Sequence, residues 1–149
     1  MAITGINHVA LQVRDLEESR KFFELLGFEE SGHRDGMLFF AVGGHHHHIA
    51  LIDSGADAPR VSRAGACINH FAVTVDEESE MGRLSSVMRD AGYKIRRSID
   101  HNANLSVYVE DPNGIIVEIT YDVPKEKWAH IADNPFGQDK PYNPLPKDA

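Results

Sequence analysis

The chain has 149 residues, a length that suits one domain or two small modules sharing a core. Its formal net charge of −8 argues against a nucleic-acid partner, because phosphate binding requires clustered Lys and Arg side chains and no basic stripe is present. It has no apolar run long enough to cross a membrane and no signal-peptide pattern, so we expect a cytoplasmic protein whose one cysteine, Cys67, forms no intrachain disulfide.

Two segments of the chain are close copies of each other. Residues 7–13 read NHVALQV and residues 69–75 read NHFAVTV, at an offset of 62 residues (70 − 8). In both copies apolar side chains occupy every second position, which predicts a β-strand with one buried face. His8 and His70 take the same position in the two copies, on the opposite face. A repeat of this size predicts a chain built from two related modules.

The first module, about residues 4–53, is predicted to have the order β-α-β-β-β. After the first strand, Asp15 with Glu18 three residues later predicts a helix start, and Gly27 predicts its end. Short apolar runs predict strands at about residues 30–33, 37–42 and 46–52, with a turn at the glycines 43 and 44.

The second module, about residues 66–122, repeats this order after a linker at residues 54–65. Asp76 is predicted to cap a helix that closes at Gly92. Strands are predicted at about residues 94–98, 105–110 and 115–121, and residues 111–114 (DPNG) give a strong turn signal between the last two. The predicted fold class is therefore α+β, with two paired β-α-β-β-β modules forming a curved mixed sheet.

The tail, residues 123–149, has a different composition, since five of the seven prolines lie in it. We expect a helical turn near residues 125–131 and an extended chain beyond it. Trp128 and Phe136 are apolar side chains that such a tail can dock onto the body or onto a neighbouring subunit.

Three side chains lie on strand faces opposite the apolar, helix-packed side: His8, His70 and Glu118. If the two modules pair so that their sheets curve around a common cleft, the three converge there. Two imidazoles and one carboxylate suit a divalent transition metal, and such a set with open positions is typical of non-haem Fe(II) sites. A lone histidine on a strand is usually structural. Two at equivalent positions of a repeat, with an inward glutamate, favour a metal site.

These motifs resemble those of the vicinal oxygen chelate superfamily, which includes glyoxalase I, type I extradiol dioxygenases and bleomycin or fosfomycin resistance proteins. The resemblance covers about residues 4–122 and rests on the two repeated strands, the helix end LLGF and the segment SVYVEDPNGIIVEI. It implies a single domain over residues 1–149 with metal ligands His8, His70 and Glu118. Metal-dependent glyoxalases carry a fourth ligand at a position that aligns near Ala50, so the site resembles that of one-domain extradiol dioxygenases more closely.

The segment HHIAL at residues 47–51 resembles an extradiol motif whose histidine acts as an acid/base, and this role falls on His47. Simple alternation along a strand would instead place His48 on the same face as Ala50, so both histidines are candidates. The other alternative is that the run of four histidines is an exposed strand start without a specific role.

His101 and Tyr108 precede Glu118 in the form DHxxxLSVYVEDPNGxxxE. In extradiol enzymes, a His and a Tyr in this region contact the substrate oxygens, so the resemblance implies catalytic roles for both residues. The alternative for Tyr108 is a core aromatic whose hydroxyl is bonded elsewhere.

The resemblance thus implies an Fe(II)-dependent extradiol dioxygenase that uses O2 to cleave a small catechol-type diol, without identifying the diol. A glyoxalase-like isomerase, lyase or hydrolase would use the same ligands with Mn, Ni or Zn, and a drug-binding resistance protein would use the cleft alone. Open sheet edges and the proline-rich arm also lead us to expect a homodimer.

Overall fold

The computed structural model describes residues 2–131 and 139–145. The chain divides into two compact units, residues 1–62 and residues 63–149, and the boundary falls within the segment predicted as a linker. None of the helices in the described ranges is both long and apolar enough to span a lipid bilayer.

The first unit is a four-stranded mixed sheet with one helix on it. Its elements are β1 (Val9–Val13), α1 (Leu16–Leu25), β2 (Glu29–Arg34), β3 (Met37–Ala41) and β4 (Ile49–Asp53). The strand order is β1-β4-β3-β2, with β1 parallel to β4 and the other pairs antiparallel. Phe22 and Phe23 of α1 are fully buried, and the Phe23 ring packs 6.1 Å from that of Phe40 in β3. The predicted β-α-β-β-β order is confirmed.

The second unit repeats this architecture and adds a strand. Its elements are β5 (Phe71–Val75), α2 (Glu78–Asp90), β6 (Lys94–Asp100), β7 (Asn104–Glu110), β8 (Ile116–Asp122), α3 (Lys125–Trp128) and β9 (Lys140–Pro141). The order is β5-β8-β7-β6-β9, with β5 parallel to β8. Met81 and Met88 of α2 are fully buried, as are the apolar side chains of the two central strands: Val107, Val109, Val117 and Ile119. The α+β fold class is confirmed.

The helix signals were only partly right. Asp15 caps α1 as predicted, since its Oδ1 accepts from the backbone N–H groups of Glu17 and Glu18. Asp76, in contrast, is not the cap of α2, because the N-cap residue is Glu77 and no side chain caps the helix. In both units the N-cap lies two residues beyond the preceding strand. The duplicated geometry therefore outweighs the better capping chemistry of Asp76.

The start of β4 was also wrong. The predicted strand begins at residue 46, whereas β4 begins at Ile49 and the run from His45 to His48 lies in the connection after the Gly43–Gly44 turn. Both glycines have positive φ (61° and 73°), which other residues rarely adopt. The turn is therefore tight, and residues 45–48 lie outside the alternating pattern of the strand.

The tail is docked onto the second unit where the structure describes it. Trp128 is half-buried and its Nε1–H donates to the carbonyl oxygen of Val123 at 2.9 Å. Strand β9 pairs antiparallel with β6, which matches the expected extended course. Phe136, the second predicted anchor, lies outside the described residues.

The turn before β8 is organised by a buried carboxylate, and its loss is expected to destabilise the fold. Asp111 is 2% exposed, and its Oδ1 accepts from the backbone N–H groups of Asn113 (2.8 Å) and Ile115 (2.7 Å). In Asp111→Ala these two donors, one buried and one half-buried, lose their partner, so we expect a loss of about 1–3 kcal/mol in the free energy of unfolding. Urea denaturation measures this change in the free energy of unfolding, and Asp122→Ala, at an exposed aspartate, is the control. Equal stability of the two variants would contradict the assignment.

Candidate functional site

Each of the two repeated histidines is held by the asparagine that precedes it. The Nδ1 of His8 lies 2.8 Å from the Oδ1 of Asn7, and the Nδ1 of His70 lies 2.8 Å from the Oδ1 of Asn69. An amide oxygen only accepts, so the proton of each imidazole is on Nδ1. With Nδ1 held in this way, Nε2 is the nitrogen of each ring that is placed to bind a metal.

In the second unit, His70 faces Glu118. Its Nε2 lies 2.9 Å from Oε2 of Glu118, and this carboxylate is buried, with 6% of the residue exposed. A deprotonated Nε2 and a carboxylate oxygen both carry lone pairs, so this contact requires a cation or a proton between them. Two ligands bound at about 2.1 Å and a right angle to one ion would lie about 3 Å apart. The pair therefore fits two adjacent ligands of a transition metal.

The orientation of Glu118 is fixed from behind by a hydroxyl network. The Oγ of Ser106 donates to Oε1 of Glu118 at 2.5 Å, and the amide of Asn104 donates to Ser106 (2.8 Å) and to Thr120 (2.9 Å). These residues lie on the adjacent strands β7 and β8. With Oε1 held, Oε2 is the oxygen that is free to bind a metal.

His8 belongs to the first unit, where its exposed ring packs beside His47. Among the residues that the structure describes, no three His, Cys, Asp or Glu side chains are grouped so as to hold a metal ion. The structure therefore supplies two of the predicted ligands as a pair, and a site completed by His8 stays a prediction.

The strand registers identify the counterpart of Glu118 in the first unit. In the parallel pair β5–β8, Ala72 lies opposite Glu118, and in the parallel pair β1–β4, Ala10 lies opposite Ala50. Since Ala10 and Ala72 are equivalent in the repeat, Ala50 occupies the position of Glu118. Its methyl group offers no donor atom for a metal. Of the two equivalent positions, 50 and 118, only position 118 therefore carries a carboxylate.

The histidine run sends its side chains in different directions. The ring of His47 lies 4.5 Å from that of His8 and 5.3 Å from that of Phe39, which pairs with Ala50 across the sheet. His48 packs instead near Phe28, and its Nδ1 accepts from the backbone N–H of Val42 at 3.4 Å. His47 is thus on the side of the predicted ligand, whereas His48 lies toward the helix-packed side.

His47 has an unusual electrostatic setting. Desolvation, and then the neighbouring imidazoles of His46 and His8, lower the pKa of His47 below its ordinary value. One of the two Nδ1 atoms of His46 and His47, 2.7 Å apart, donates to the other. A lowered pKa keeps His47 neutral near pH 7, so that its ring is able both to accept and to donate a proton.

His101 and Tyr108 meet in the second unit. The Nε2 of His101 lies 3.1 Å from the Tyr108 hydroxyl, and the Tyr108 ring lies edge-on to that of His70 at 5.3 Å. Burial, and then the charge of Glu118, raise the pKa of Tyr108, so the phenol is protonated at neutral pH. Four predicted site residues of this unit, namely His70, His101, Tyr108 and Glu118, therefore form one cluster.

Several residues of this cluster were missed by the sequence reasoning. Asn69 carried a signal, because the Asn-His pair recurs in both copies of the repeat. Ser106 lies two residues before Tyr108 on β7, but strand alternation alone gives its hydroxyl no role. Asp139 gave no signal: its Oδ1 lies 2.6 Å from Nδ1 of His101, although 38 residues separate the two along the chain.

Comparison with known protein sequences gives a consistent set of relatives. A family model described as the Glyoxalase/Bleomycin resistance protein/Dioxygenase superfamily matches residues 5–119. The chain is 35% identical over 113 residues to catechol-2,3-dioxygenase of Bacillus subtilis (strain 168), which covers 73% of this chain but only 38% of that protein. It is 25% identical over 146 residues to biphenyl-2,3-diol 1,2-dioxygenase 3 of Rhodococcus globerulus, covering 93% and 77% of the two chains.

Solved structures share the fold. The fosfomycin resistance protein FosX of Listeria monocytogenes, solved as a mutant with Mn(II) and 1S,2S-dihydroxypropylphosphonic acid, superposes with a TM-score of 0.67. The match covers 87% of this chain and 98% of that chain at 17% identity. A likeness at this identity shows a common architecture and leaves the chemistry open.

Proposed function

Because the chain belongs to the glyoxalase/bleomycin resistance protein/dioxygenase superfamily, we propose that it is an Fe(II)-dependent extradiol dioxygenase that cleaves a catechol-type diol. The observation that carries the proposal is the cluster in which the His70–Glu118 pair lies beside the hydrogen-bonded Tyr108 and His101. A pair of metal-ligand candidates beside two hydrogen-bonded groups that can transfer protons suits the cleavage of a diol. The two dioxygenase relatives support this chemistry over that of the other family members.

The proposed ligands are His8, His70 and Glu118. The chemistry of this donor set, two neutral imidazoles and one carboxylate, suits Fe(II) and leaves positions open. Bound Fe(II) would supply a common binding point for the two diol oxygens and dioxygen, and a path for electrons between them. Ala50 argues against the four-ligand arrangement of metal-dependent glyoxalases, since it offers no donor atom at the position equivalent to Glu118.

The side chains around the ligands have separate tasks in this proposal. When the diol binds, the Tyr108 hydroxyl would give up its bond to Nε2 of His101 and donate to a diol oxygen instead, and the freed Nε2 would take the diol proton. His47 would act as the acid/base on the side of His8, and the contacts of His48 with Phe28 and Val42 support His47 over His48 for this role.

An assay with defined metals tests the proposal and its alternatives. Metal-free protein loaded anaerobically with Fe(II) is mixed with a panel of catechols, and oxygen uptake and the absorbance of a ring-cleaved product are recorded. We expect one O2 consumed per diol cleaved with Fe(II), and none with Zn(II). Turnover without O2 in the presence of Mn, Ni or Zn would support an isomerase, lyase or hydrolase. Tight binding of an aromatic drug without any turnover would support a resistance protein.

Replacing Asn69 is expected to weaken metal binding without removing a ligand. In Asn69→Ala, Nδ1 of His70 loses its acceptor, so Nε2 is no longer fixed as the free nitrogen, and Fe(II) affinity is expected to fall by about 10- to 100-fold. Competition with a chelator measures the affinity. Asn69→Asp keeps an acceptor oxygen and is the matched control. Asn7→Ala is expected to show the same loss if His8 is a ligand, and unchanged affinity would remove His8 from the site.

The expected homodimer and cytoplasmic location stay predictions from the sequence. Light scattering at micromolar concentration tests the first, and a monomeric mass would refute it.

A further inference from the structure

A pocket of about 270 Å³ opens beside Tyr108 in the second unit. It is smaller than the roughly 300–1,000 Å³ of typical drug-sized sites, which favours a single-ring ligand. Its lining residues are Arg63, Asn69, Arg96, Arg97, Tyr108 and Ile116. Two of them belong to the site described above, because Tyr108 contacts His101 and Asn69 holds His70.

The pocket carries positive charge although the chain as a whole is strongly acidic. Of its three arginines, Arg96 forms an ion pair with Glu110. Arg97 places its guanidinium carbon 4.2 Å from the centre of the Tyr108 ring, and Arg63 donates to the backbone oxygen of Asn69 at 3.0 Å. Within the described part of the chain, Arg63 and Arg97 form no ion pair with a carboxylate. Two guanidinium groups are therefore available to an anion in the pocket.

We propose that this pocket binds a carboxylate on the substrate, so that the preferred substrate is a single-ring catechol bearing an acidic side group. The proposal rests on the function proposed above, since the diol would meet Tyr108. Guanidinium groups bind carboxylates through paired, charge-assisted hydrogen bonds, and a local positive potential in an acidic protein draws anions to this place.

Calorimetry on metal-free protein under anaerobic conditions tests the pocket without turnover. The probes are 3,4-dihydroxybenzoate and catechol, which differ by the carboxylate. We expect the carboxylated probe to bind at least about 10-fold more tightly, and Arg97→Met and Arg63→Met each to weaken it by about 10- to 100-fold while catechol changes less than about twofold. Arg89→Met, on an exposed arginine paired with Asp90 at the end of α2, is the control.

Equal affinity for the two probes, or an equal loss for both in Arg97→Met, would overturn the proposal. Selective binding of 3,4-dihydroxybenzoate without cleavage of any diol would support the pocket and count against the dioxygenase function. The two proposals therefore fail separately.

A second inference comes from the C-terminal segment. Oδ1 of Asp139 lies 2.6 Å from Nδ1 of His101, whose Nε2 lies 3.1 Å from the Tyr108 hydroxyl. The three side chains form a continuous line from an exposed carboxylate to a buried phenol. Since a carboxylate only accepts, the imidazole proton is on Nδ1, and Nε2 accepts from Tyr108.

Further contacts hold Asp139 in place. The next two residues form β9, which pairs with β6 in the register Asp100 to Lys140, and the Lys140 ammonium donates to Oδ1 of Asn102 at 3.0 Å. Beyond β9 the segment crosses α2, where a Cβ added to Gly82 would lie only 2.7 Å from the carbonyl oxygen of Pro144. The absence of a side chain at residue 82 thus permits the close approach of the segment.

We infer that Asp139 is a positioning residue: it fixes the tautomer and direction of His101, and the C-terminal segment is therefore part of the site. The inference rests on the proposed function for the role of His101, while the geometry itself is independent of any metal. The arrangement is the general one in which a carboxylate orients an imidazole that acts on a proton.

Nitrogen-15 NMR of the imidazole rings in the metal-free protein reads the tautomer of His101 directly. We expect the Nδ1–H form in the wild type, a mixture of tautomers in Asp139→Ala, and restoration in Asp139→Asn, whose amide oxygen also accepts. Gly82→Ala should give the same mixture by displacing the segment, although alanine favours the helix more than glycine does. Asp90→Ala, an exposed carboxylate on α2, is the control.

Steady-state kinetics gives the second readout. If the diol is cleaved, Asp139→Ala should lower kcat by about 10- to 100-fold with KM within about threefold, because orientation is lost and binding is not. A pure Nδ1–H tautomer in both Asp139→Ala and Gly82→Ala would overturn the inference, whatever the activity. A tautomer change in a protein that cleaves no diol would support the positioning and count against the function alone.

Discussion

Replacing Glu118 with glutamine is expected to reduce Fe(II) affinity by more than about 100-fold and to abolish ring cleavage. The loss should exceed the 10- to 100-fold typical of residues that only orient a ligand, because the substitution removes the one negative charge of the ligand set. Glutamine has the same shape, so the Ser106 hydroxyl still has an oxygen to donate to, and the β7–β8 pairing should persist.

Fe(II) affinity is measured by competition with a chelator, and activity by oxygen uptake. Glu80→Gln, on a half-buried glutamate paired with Arg83 on α2, is the matched control. Histidine-rich tracts bind metals by themselves, so the double variant His45→Ala/His46→Ala separates the tract from the site. Tight, one-to-one Fe(II) binding in Glu118→Gln, with the tract removed, would show that Glu118 is not a ligand.

The fold could be predicted largely because the β-α-β-β-β module occurs twice in the sequence, so that each copy supports the interpretation of the other. Strand alternation, closing glycines and element order recur in both halves, and the structure has the same β-α-β-β-β order in each unit. The wrongly predicted N-cap of α2 shows that the position of a helix start can be transferred from one copy of the repeat to the other. Asp15 shifted by 62 residues falls on Glu77, the observed N-cap, whereas local chemistry alone favoured Asp76. Register within a duplication is a stronger constraint here than capping preference.

The histidine run shows where a local rule stops applying. Alternation holds only along a regular strand, and β4 begins at Ile49, after His48. The backbone of His48 already bonds to two different strands, since its N–H donates to Phe40 and its carbonyl accepts from Val9. The direction of the His48 side chain is set by this bridging position and by the contact with Phe28. Neither constraint can be read from the alternation of apolar residues.

The site divides into parts that a sequence can and cannot reveal. His70 and Glu118 were predictable because each occupies a recognisable position on a strand, and parallel pairing brings β5 beside β8. Asp139 was not, because its contact with His101 depends on the path of a segment that returns after 38 residues. A hydrogen bond of that kind follows from tertiary packing and has no local pattern.

Replacing His47 with alanine is expected to lower kcat by about 10²- to 10⁴-fold, the usual contribution of a general acid/base. His47 lies beside His8 and Phe39, and its lowered pKa keeps the imidazole neutral and able to exchange a proton near pH 7. His48→Ala should change kcat by less than about threefold, because that ring packs near Phe28 and accepts from the Val42 backbone.

Both variants should bind Fe(II) as the wild type does, since neither removes a proposed ligand, and this separates a proton-transfer defect from a loss of metal. Single-turnover measurements on Fe(II)-loaded protein with a saturating catechol give the rate of the chemical step. Full activity in both variants would end the acid/base assignment, whereas a large loss confined to His48→Ala would transfer it to His48. The first result would leave His101 and Tyr108 as the proton-transfer groups of the site, because they are the remaining pair in hydrogen-bond contact beside Glu118.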